Sequence, residues 1–321
     1  MNKTIRANLC ILLAAIIWGS AFVTQRMGMD SIGPIYFNVF RMLLGGTVLI
    51  IVTIITDKLG LGVNDTDDNS YPERNDSESH RFWNSSCKTL LAGGVTLGLI
   101  ITCASNFQQI GLVSIDAGKS GFLTAMYVVL VPIFGLLLHK PVHYNHIIAA
   151  ILGVIGLYFL CINGSFNLQM GDLLSLIGAI FWALHIMAID HFAPKLNPIK
   201  LSALQFIVCG IMSFVLAQIM HEDFTWQMLS EAKFAIAYTG IMSSAIAFTL
   251  QIFAQRNANP TAASLIMSTE ALFATICGFL FLGEMLTLRE LLGALFMLVA
   301  VIIAQVSFRE LADLFKHKSH Q

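Results

Sequence analysis

The chain has 321 residues, of which 56% are hydrophobic and only 12% are charged. A soluble domain carries about 25% charged residues, so this composition excludes an ordinary soluble protein and indicates an integral membrane protein. Basic and acidic residues nearly balance, at 18 against 19. This balance argues against a nucleic-acid partner, and we expect the partners to be the lipid bilayer and a small-molecule substrate.

Apolar runs of membrane length follow one another along the chain. A helix needs about 20 mainly apolar residues to cross the hydrocarbon core of a bilayer. Such runs occur at about 8–25, 34–56, 89–112, 118–138, 145–162, 172–190, 200–219, 232–254, 261–282 and 288–307. We therefore predict an all-α integral membrane protein with ten transmembrane helices. The first run follows two basic residues, as in a signal peptide, but a copy of it recurs in the middle of the chain, so we predict a retained helix.

The second half of the chain repeats the first, which indicates an internal duplication. Constant shifts of 164 or 143 residues match Trp18 with Trp182, Pro34 with Pro198, Gln108 with Gln251 and Tyr127 with Glu270. We predict two five-helix repeats, at 8–162 and 172–307, with a short cytoplasmic segment at 1–7 and a basic cytoplasmic tail at 308–321 that anchors to the membrane surface.

The distribution of Lys and Arg predicts the orientation, because these residues concentrate in cytoplasmic segments. With the N-terminus in the cytoplasm, 13 of the 18 basic residues fall in inner segments, four fall in outer segments or helix ends, and Arg41 lies within a helix. Both termini are therefore predicted to be cytoplasmic. Since five is an odd number of helices, the second repeat is inverted in the membrane relative to the first.

The segment 57–88 is polar and acidic, and its counterpart in the second half is short. It has few apolar residues to bury, so we expect disorder. Its role is either that of a solvated tether or that of a regulatory, partner-binding loop.

Several short motifs occur in a characteristic order. They are Trp18-Gly19-Ser20 in the first helix, Arg41 in the second, the stretch 108–132, and Gly283-Glu284 after the ninth helix. Through them the sequence resembles the EamA group of drug/metabolite transporters over about residues 8–307. The resemblance implies two inverted five-helix bundles around a central cavity, alternating access, and export of amino acids or other small metabolites. The first repeat departs from the pattern, because His139-Lys140 occupies the positions that match Gly283-Glu284.

Two charged residues are expected within the membrane. A charge at the bilayer centre costs about 2.5–3.5 kcal/mol on insertion scales, so a retained charge faces protein or water. Glu270 shares a helical face with Ala263 and Ala274, and it is either a protonatable group that binds substrate and couples transport to protons or a structural carboxylate between helices. Arg41 is expected at a similar depth. It either shares a cavity with Glu270, attracting a carboxylate or pairing with Glu270, or extends to the outer headgroups.

Aromatic and uncharged polar residues complete the candidate site. Trp normally lies at membrane interfaces, so the mid-membrane Trp18 and Trp182 predict cavity walls, with plain packing as the alternative. His185, one turn beyond Trp182, is either a group that titrates near neutral pH or a hydrogen-bond partner. Four further residues either orient a polar substrate or cap neighbouring backbone groups: Asn106, Gln108, Tyr127 and Gln251.

We expect no cofactor and no metal. The segment 118–120 reads Gly-Lys-Ser but lacks the upstream glycine spacing of an ATPase phosphate-binding loop. His139, His143 and His146 are separated by Pro141, with no thiol or carboxylate near them in the sequence. The six cysteines are scattered without metal or redox spacing, so a disulfide framework is not expected.

The sequence thus predicts a secondary transporter of the cell (cytoplasmic) membrane that exports a small polar or amphipathic metabolite, such as an amino acid, with H+ as the expected coupling ion. A nucleotide-sugar or phosphorylated-metabolite antiporter is the first alternative, although it calls for more cations than Arg41. The others are a lipid-modifying membrane enzyme and a structural membrane partner. An enzyme would have to combine His185 with Asp172 and Asp190, which lie about 27 Å apart along one helix, so we expect no enzyme. The sequence leaves open whether the protein forms a homodimer.

Overall fold

The computed structural model describes residues 3–59, 76–115, 117–139, 142–162, 169–282 and 287–305, and in these ranges it contains helices and no strands. The helices are α1 (Lys3–Met29), α2 (Pro34–Lys58), α3 (Asp76–Ser114), α4 (Ala117–Thr124), α5 (Tyr127–Leu137), α6 (Tyr144–Cys161), α7 (Met170–Phe192), α8 (Pro198–Ile219), α9 (Trp226–Tyr238), α10 (Phe248–Gln255), α11 (Pro260–Met267), α12 (Glu270–Leu282) and α13 (Leu288–Gln305). A 3-10 turn at Ala193–Lys195 follows α7, and a π-helix at Thr239–Ala247 joins α9 to α10.

The predicted membrane fold is confirmed. Each of the ten predicted apolar runs coincides with one helix or with consecutive helical segments, such as α4 and α5. In the described ranges, eight spans are long and apolar enough to cross a membrane, and α6 contributes a shorter apolar helix at Tyr144–Phe159. The protein is therefore an all-helical, multi-pass membrane protein.

Helix starts follow from local sequence. Pro34, Pro198 and Pro260 begin α2, α8 and α11, positions at which the missing backbone N–H of proline is not needed. Asn197 and Asn259 precede two of these helices, and each side chain accepts hydrogen bonds from the backbone N–H groups of the first turn. These caps fix where the second half of the chain turns back into the bilayer.

The two ends of the segment 57–88 are helical in the part that the structure describes. Helix α2 continues through Lys58, and α3 begins at Asp76, well before its membrane-spanning part. At the end of α2, Asp57 forms an ion pair with Lys200 of α8 at 3.4 Å. Both helices therefore extend beyond the apolar runs predicted at 34–56 and 89–112.

Other expectations concern positions outside the described residues. These positions are the acidic segment 60–75, Lys140-Pro141, Gly283-Glu284 and the basic tail 308–321. The roles expected for them, including a tether and a membrane anchor, stay predictions.

The packing of the helices repeats between the two halves. Helix α2 runs along its counterpart α8, and α6 runs along its counterpart α13. Helix α3 packs against α7 and α8, while its counterpart, the α9–α10 segment with its π-helix, packs against α1 and α2. Helix α5 lies on α7, as α12 lies on α1. The first and second halves thus exchange equivalent contacts around a shared centre, as inverted repeats do.

One membrane segment in each half is broken at the same place. Helix α4 ends at Thr124 and α5 begins at Tyr127, while α11 ends at Met267 and α12 begins at Glu270. The repeat shift of 143 residues relates Tyr127 to Glu270. The break places these two residues at the first position of a half-helix, near the middle of the molecule.

Candidate functional site

A cavity lies between the two halves, and the space enclosed by its wall and its mouth is about 530 Å³. Fourteen residues of the described chain form its wall: Trp18, Phe22, Gln25, Arg41, Gln108, Thr124, Tyr127, Trp182, Ile186, Ser243, Phe248, Gln251, Met267 and Glu270.

Most of the predicted site residues meet in this cavity. The structure places seven of them in its wall: Trp18, Arg41, Gln108, Tyr127, Trp182, Gln251 and Glu270. They come from both halves of the chain and from seven separate helices. The remaining two, Asn106 and His185, lie outside the cavity wall.

Asn106 and His185 hold helices together. Asn106 of α3 donates a hydrogen bond from Nδ2 to Ser213 Oγ of α8 at 2.8 Å. His185 of α7 is fully buried, and its Nε2 lies 2.9 Å from Gln205 Oε1 of α8. The His185 ring also packs edge-on against Trp182, which separates it from the cavity. Both residues therefore have the structural role that was the alternative to substrate binding.

Glu270 is a buried carboxylate in the cavity wall. Its side chain is 6% exposed, and Oε1 accepts a hydrogen bond from Tyr127 Oη at 3.0 Å. The bond joins the two residues that the internal repeat matches, and it connects α5 of the first half to α12 of the second. Because Glu270 occupies the first position of α12, its carboxylate also lies at the positive end of the helix dipole.

The side chains before Glu270 stabilise the break between α11 and α12. Ser268 Oγ and Thr269 Oγ1 donate hydrogen bonds to backbone carbonyls three residues earlier, at 2.8 and 2.6 Å. Carbonyls freed by a helix break inside a membrane must find new donors, and serine and threonine hydroxyls can supply them. The local sequence thus explains why a new helix can begin at the acid.

Helix α1 approaches the start of α12 closely. A Cβ atom added at Gly19 would lie 2.7 Å from both Glu270 O and Ala274 N. Ala263, on α11, is fully buried. The small-residue face predicted around Glu270 is therefore a helix-packing face that borders the cavity.

Arg41 is held in place by neutral amides. It is 4% exposed; its Nε donates to Asn38 Oδ1 at 2.9 Å, and its Nη1 donates to Gln25 Oε1 at 3.0 Å. No described carboxylate pairs with Arg41, so the hypothesised pairing with Glu270 is wrong, as is the alternative in which Arg41 extends to the headgroups. The reason is that Asn38 and Gln25 satisfy two of its donor nitrogens within the protein, which leaves Nη2 without a described partner at the cavity.

Three aromatic rings form a continuous part of the wall. Phe248 lies between the two tryptophans, with ring centroids 4.8 Å from Trp18 and 5.8 Å from Trp182. The indole Nε1 of Trp182 donates to Gln108 Oε1 at 3.2 Å, which fixes the ring orientation. The wall therefore offers flat apolar surface that can hold a ring or a cation.

Sequence reasoning missed several lining residues, although some carried a signal. Gln25 lies seven residues after Trp18, and Phe248 lies three residues before Gln251, spacings that place each pair on one helical face. Ser243 carried no such signal, because it lies in the π-helix at Thr239–Ala247. A π-helix shifts the face that follows it, and such segments are frequent at functional sites.

The acid and histidine that an enzyme would need are engaged elsewhere. Asp172 is fully buried, pairs with Lys119 at 2.8 Å, and accepts a hydrogen bond from the backbone N–H of Gln169 at 2.7 Å. His185 is bonded to Gln205. Asp172 therefore ties the start of α7 to α4, while His185 contacts α8.

Known proteins resemble this chain over nearly all of its length. The model of the EamA-like transporter family matches residues 5–162 and 169–305. An uncharacterized transporter of Archaeoglobus fulgidus is 27% identical over 305 residues, covering 95% of this chain and 87% of the relative. The uncharacterized transporter YoaV of Bacillus subtilis is 20% identical, covering 95% of this chain and 98% of YoaV. A WAT1-related chloroplastic protein of Arabidopsis thaliana is 22% identical, covering 91% of this chain and 67% of that protein.

A solved structure shares the fold. A protein of known crystal structure superimposes with a TM-score of 0.71 and 18% sequence identity, covering 95% of this chain and 98% of that one. The family match comprises two consecutive stretches that together span nearly all of the sequence. Since the helices and the central cavity also agree with this assignment, the chain belongs to the EamA-like transporter family, which points to a transporter rather than an enzyme.

Proposed function

We propose that this protein is a secondary transporter that exports a small polar or amphipathic metabolite, an amino acid or a related compound, across the cell membrane. Both termini then lie in the cytoplasm, and H+ is the coupling ion. The observation that carries the proposal is the cavity between the halves, whose wall contains one buried acid, Glu270, and one buried guanidinium, Arg41.

The charges of the cavity favour a substrate with an anionic and a cationic group. Arg41 has no described acidic partner, and a guanidinium recognises a carboxylate through paired N–H donors. Glu270 provides the opposite charge, and Trp18 and Trp182 provide ring surface for an apolar or cationic part. Arg41 is the sole Lys or Arg among the described lining residues, which argues against a nucleotide sugar or a phosphorylated metabolite.

The inverted repeats support alternating access around this site. If each half can adopt the packing of the other, the cavity opens first to one side and then to the other. The Tyr127–Glu270 hydrogen bond joins the two halves inside the cavity. Adding or removing a proton at Glu270 changes a contact between the parts that must move, which would couple protons to the exchange.

Counterflow in proteoliposomes tests the proposal. A panel of metabolites is first screened by thermal stabilisation of the purified protein, and hits are assayed by uptake against a trapped gradient. We expect at least one amino acid or related compound to exchange, and Arg41→Leu to reduce the exchange at least about tenfold. Glu231→Gln, a change at an exposed residue far from the cavity wall, serves as the control and should have no effect.

Two results would contradict the proposed function. One is a panel in which no amino acid or related compound stabilises the protein or exchanges. The other is exchange that is unaffected by Arg41→Leu, which would place the substrate path outside this cavity.

A further inference from the structure

The internal repeat predicts two equivalent hydrogen bonds, and the structure contains one of them. Trp182 Nε1 donates to Gln108 Oε1 at 3.2 Å. The repeat relates Trp182 to Trp18 and Gln108 to Gln251, so the equivalent bond would join Trp18 Nε1 to Gln251 Oε1. Both of these atoms are buried, have no hydrogen-bond partner among the described residues, and belong to residues that line the cavity.

The chemistry of the two open atoms is fixed by their surroundings. The backbone carbonyl of Ile186 can only accept, so Gln255 must present Nε2 to it, at 3.1 Å. Gln255 Oε1 then accepts from Gln251 Nε2 at 2.9 Å, which leaves Gln251 Oε1 as the open acceptor. The indole N–H of Trp18 can only donate. The open pair is therefore one donor and one acceptor, both removed from water.

Because Trp18 Nε1 and Gln251 Oε1 are buried without a hydrogen-bond partner among the described residues, a ligand that bonds to both of them would gain binding energy. A buried polar atom without a partner costs about 1–3 kcal/mol. Gln251 is only 2% exposed, and the Trp18 ring lies 4.8 Å from Phe248, one helical turn before Gln251 on α10. Both open atoms thus belong to residues of the cavity wall, next to its aromatic rings.

We propose that Trp18 and Gln251 form a polar subsite for a substrate group that both accepts and donates a hydrogen bond, namely a hydroxyl or a primary amide. The group accepts from Trp18 Nε1–H and donates to Gln251 Oε1. A carboxylate lacks the donor and an ammonium lacks the acceptor, so neither satisfies both atoms. In the state that opens to the other side of the membrane, the two-fold relation exchanges the pairs: Trp18 bonds to Gln251, and Trp182 and Gln108 become open.

This inference rests on the proposed transport function, because it assigns substrate contacts within the same cavity. It adds a prediction about two identical residues at matched positions, of which one is hydrogen-bonded to its tryptophan and the other is not. Gln108 and Gln251 have the same side chain at matched positions, but one is closed on its tryptophan and the other is available to a ligand.

Nuclear magnetic resonance of ¹⁵N-labelled tryptophan tests the exchange directly. The 321-residue chain contains four tryptophans, so its indole N–H signals can be assigned by single Trp→Phe substitutions. We expect the indole proton of Trp182 at a hydrogen-bonded shift and that of Trp18 at a free shift. Gln108→Leu should move Trp182 to the free position and increase the bonded population of Trp18 about two- to tenfold, the effect of one net hydrogen bond.

The matched control is Gln109→Leu, which changes the neighbouring residue on another face of α3. Gln109 contacts Met29 and does not line the cavity. This variant should leave both indole signals unchanged, and the exposed Trp226 should report an unchanged fold in every variant. A Trp18 signal that does not respond to Gln108→Leu would overturn the exchange.

The ligand class is tested with 2-phenylethanol and its methyl ether, in which a methyl group replaces the hydroxyl hydrogen and so removes the ability to donate. We expect the alcohol to shift the Trp18 signal at a concentration about two- to tenfold lower than the ether. Gln251→Leu should remove that difference, whereas Gln109→Leu should preserve it. Equal responses to the two compounds, or a difference that survives Gln251→Leu, would overturn the subsite.

These measurements do not depend on transport. If the indole signals behave as expected but no metabolite exchanges in proteoliposomes, the proposed function fails while the subsite stands. If a metabolite exchanges but Trp18 ignores both Gln251→Leu and the alcohol, the subsite fails while the transport function stands.

Discussion

The two broken helices of the structure have the same geometry but different local chemistry. Helices α5 and α12 begin 143 residues apart, at Tyr127 and Glu270. Five residues later, the first half has Pro132, which cannot donate to the carbonyl of Val128. The second half has Thr275 at the matched position, and its hydroxyl donates to the carbonyl of Ala271 at 3.0 Å.

Pro132 and Thr275 each change the hydrogen bonding of a backbone carbonyl four residues earlier. These two carbonyls, of Val128 and Ala271, are also matched by the repeat. A proline removes the regular hydrogen bond, and a threonine that bonds back to the preceding turn tends to bend a helix. The break is therefore a property of the shared architecture. The carboxylate is not part of that shared architecture, because the first half has the phenol of Tyr127 at the position where the second half has Glu270.

This comparison indicates that the two halves share a backbone geometry but contribute different side chains to the cavity. The duplicated backbone supplies two half-helix starts that face each other across the cavity, and the side chains there form one donor–acceptor pair, from Tyr127 to Glu270. If that is correct, equivalent changes in the two halves should have unequal effects. The following predictions test this inequality.

The largest difference is expected where α1 and α7 carry different residues at matched positions. Gly19→Ala adds a Cβ that would lie 2.7 Å from Glu270 O and Ala274 N, so we expect a loss of about 1–3 kcal/mol in the free energy of unfolding. Ala183 occupies the matched position of α7 and already carries a Cβ. Ala183→Gly should cost only about 1 kcal/mol. Thermal unfolding in detergent measures the stability of both variants. Equal losses would show that the contact of α1 with α12 is no tighter than the matched contact of α7.

The next difference concerns the bond between the halves. Tyr127→Phe removes the donor to Glu270 Oε1 but keeps the ring, so we expect the transport rate to fall about tenfold and the free energy of unfolding to fall by about 1–3 kcal/mol, the cost of a buried acceptor left without its partner. Tyr158→Phe makes the same change at a partly exposed ring and should leave transport unaffected. Full activity of Tyr127→Phe would mean that the hydrogen bond has no part in the cycle.

A smaller difference is expected at the starts of α2 and α8. Asn197 caps its own helix through Ile199 N and Lys200 N. The start of α2 lacks a side-chain cap of its own and is instead capped by Glu222, from the loop after α8, whose carboxylate accepts from Tyr36 N at 2.8 Å. Asn197→Ala should lower the free energy of unfolding by about 1 kcal/mol at any pH near neutrality.

The cap supplied by Glu222 should instead depend on pH. Burial raises the pKa of Glu222 above its ordinary value of 4.5, against the opposing effect of the hydrogen bonds from Tyr36 N and Ile35 N. For an acid with a raised pKa in the folded state, the linked stabilisation is present below pH 4.5 and is lost as the pH rises through the folded pKa. We expect the stability of the wild type relative to Glu222→Gln to fall over that window. Unfolding curves measured between pH 4 and pH 7 test this, and a constant difference would contradict it.

The sequence was sufficient to predict the membrane fold, because each span is apolar over its whole length and the turns carry proline, glycine or asparagine. The repeat shifts also identified Tyr127 and Glu270 as matched positions before any contact was known. The repeat shifts do not predict which of the matched residues form hydrogen bonds with each other. Hydrogen bonds across the centre depend on how the two halves meet, and local patterns do not encode that arrangement.

Arg41 illustrates the same limit. Its position in a helix predicted a buried charge that needs partners, and a carboxylate was the natural expectation. The structure supplies two amides instead, Asn38 on the same helix and Gln25 on α1. The spacing of Arg41 and Asn38 was visible in the sequence, whereas the contact with Gln25 depends on the packing of α1 against α2. His185 shows a related limit, because its partner Gln205 lies on a different helix and could not be identified from local spacing.

The most direct test of the account is the pH dependence of transport in proteoliposomes that contain Glu270→Gln. The wild type should exchange its substrate at a rate that changes with pH. The glutamine variant can still accept a hydrogen bond from Tyr127, so it should fold and insert normally but lose that pH dependence. If transport by Glu270→Gln follows the same pH profile as the wild type, the central claim that this buried acid couples protons to the movement of the two halves is wrong.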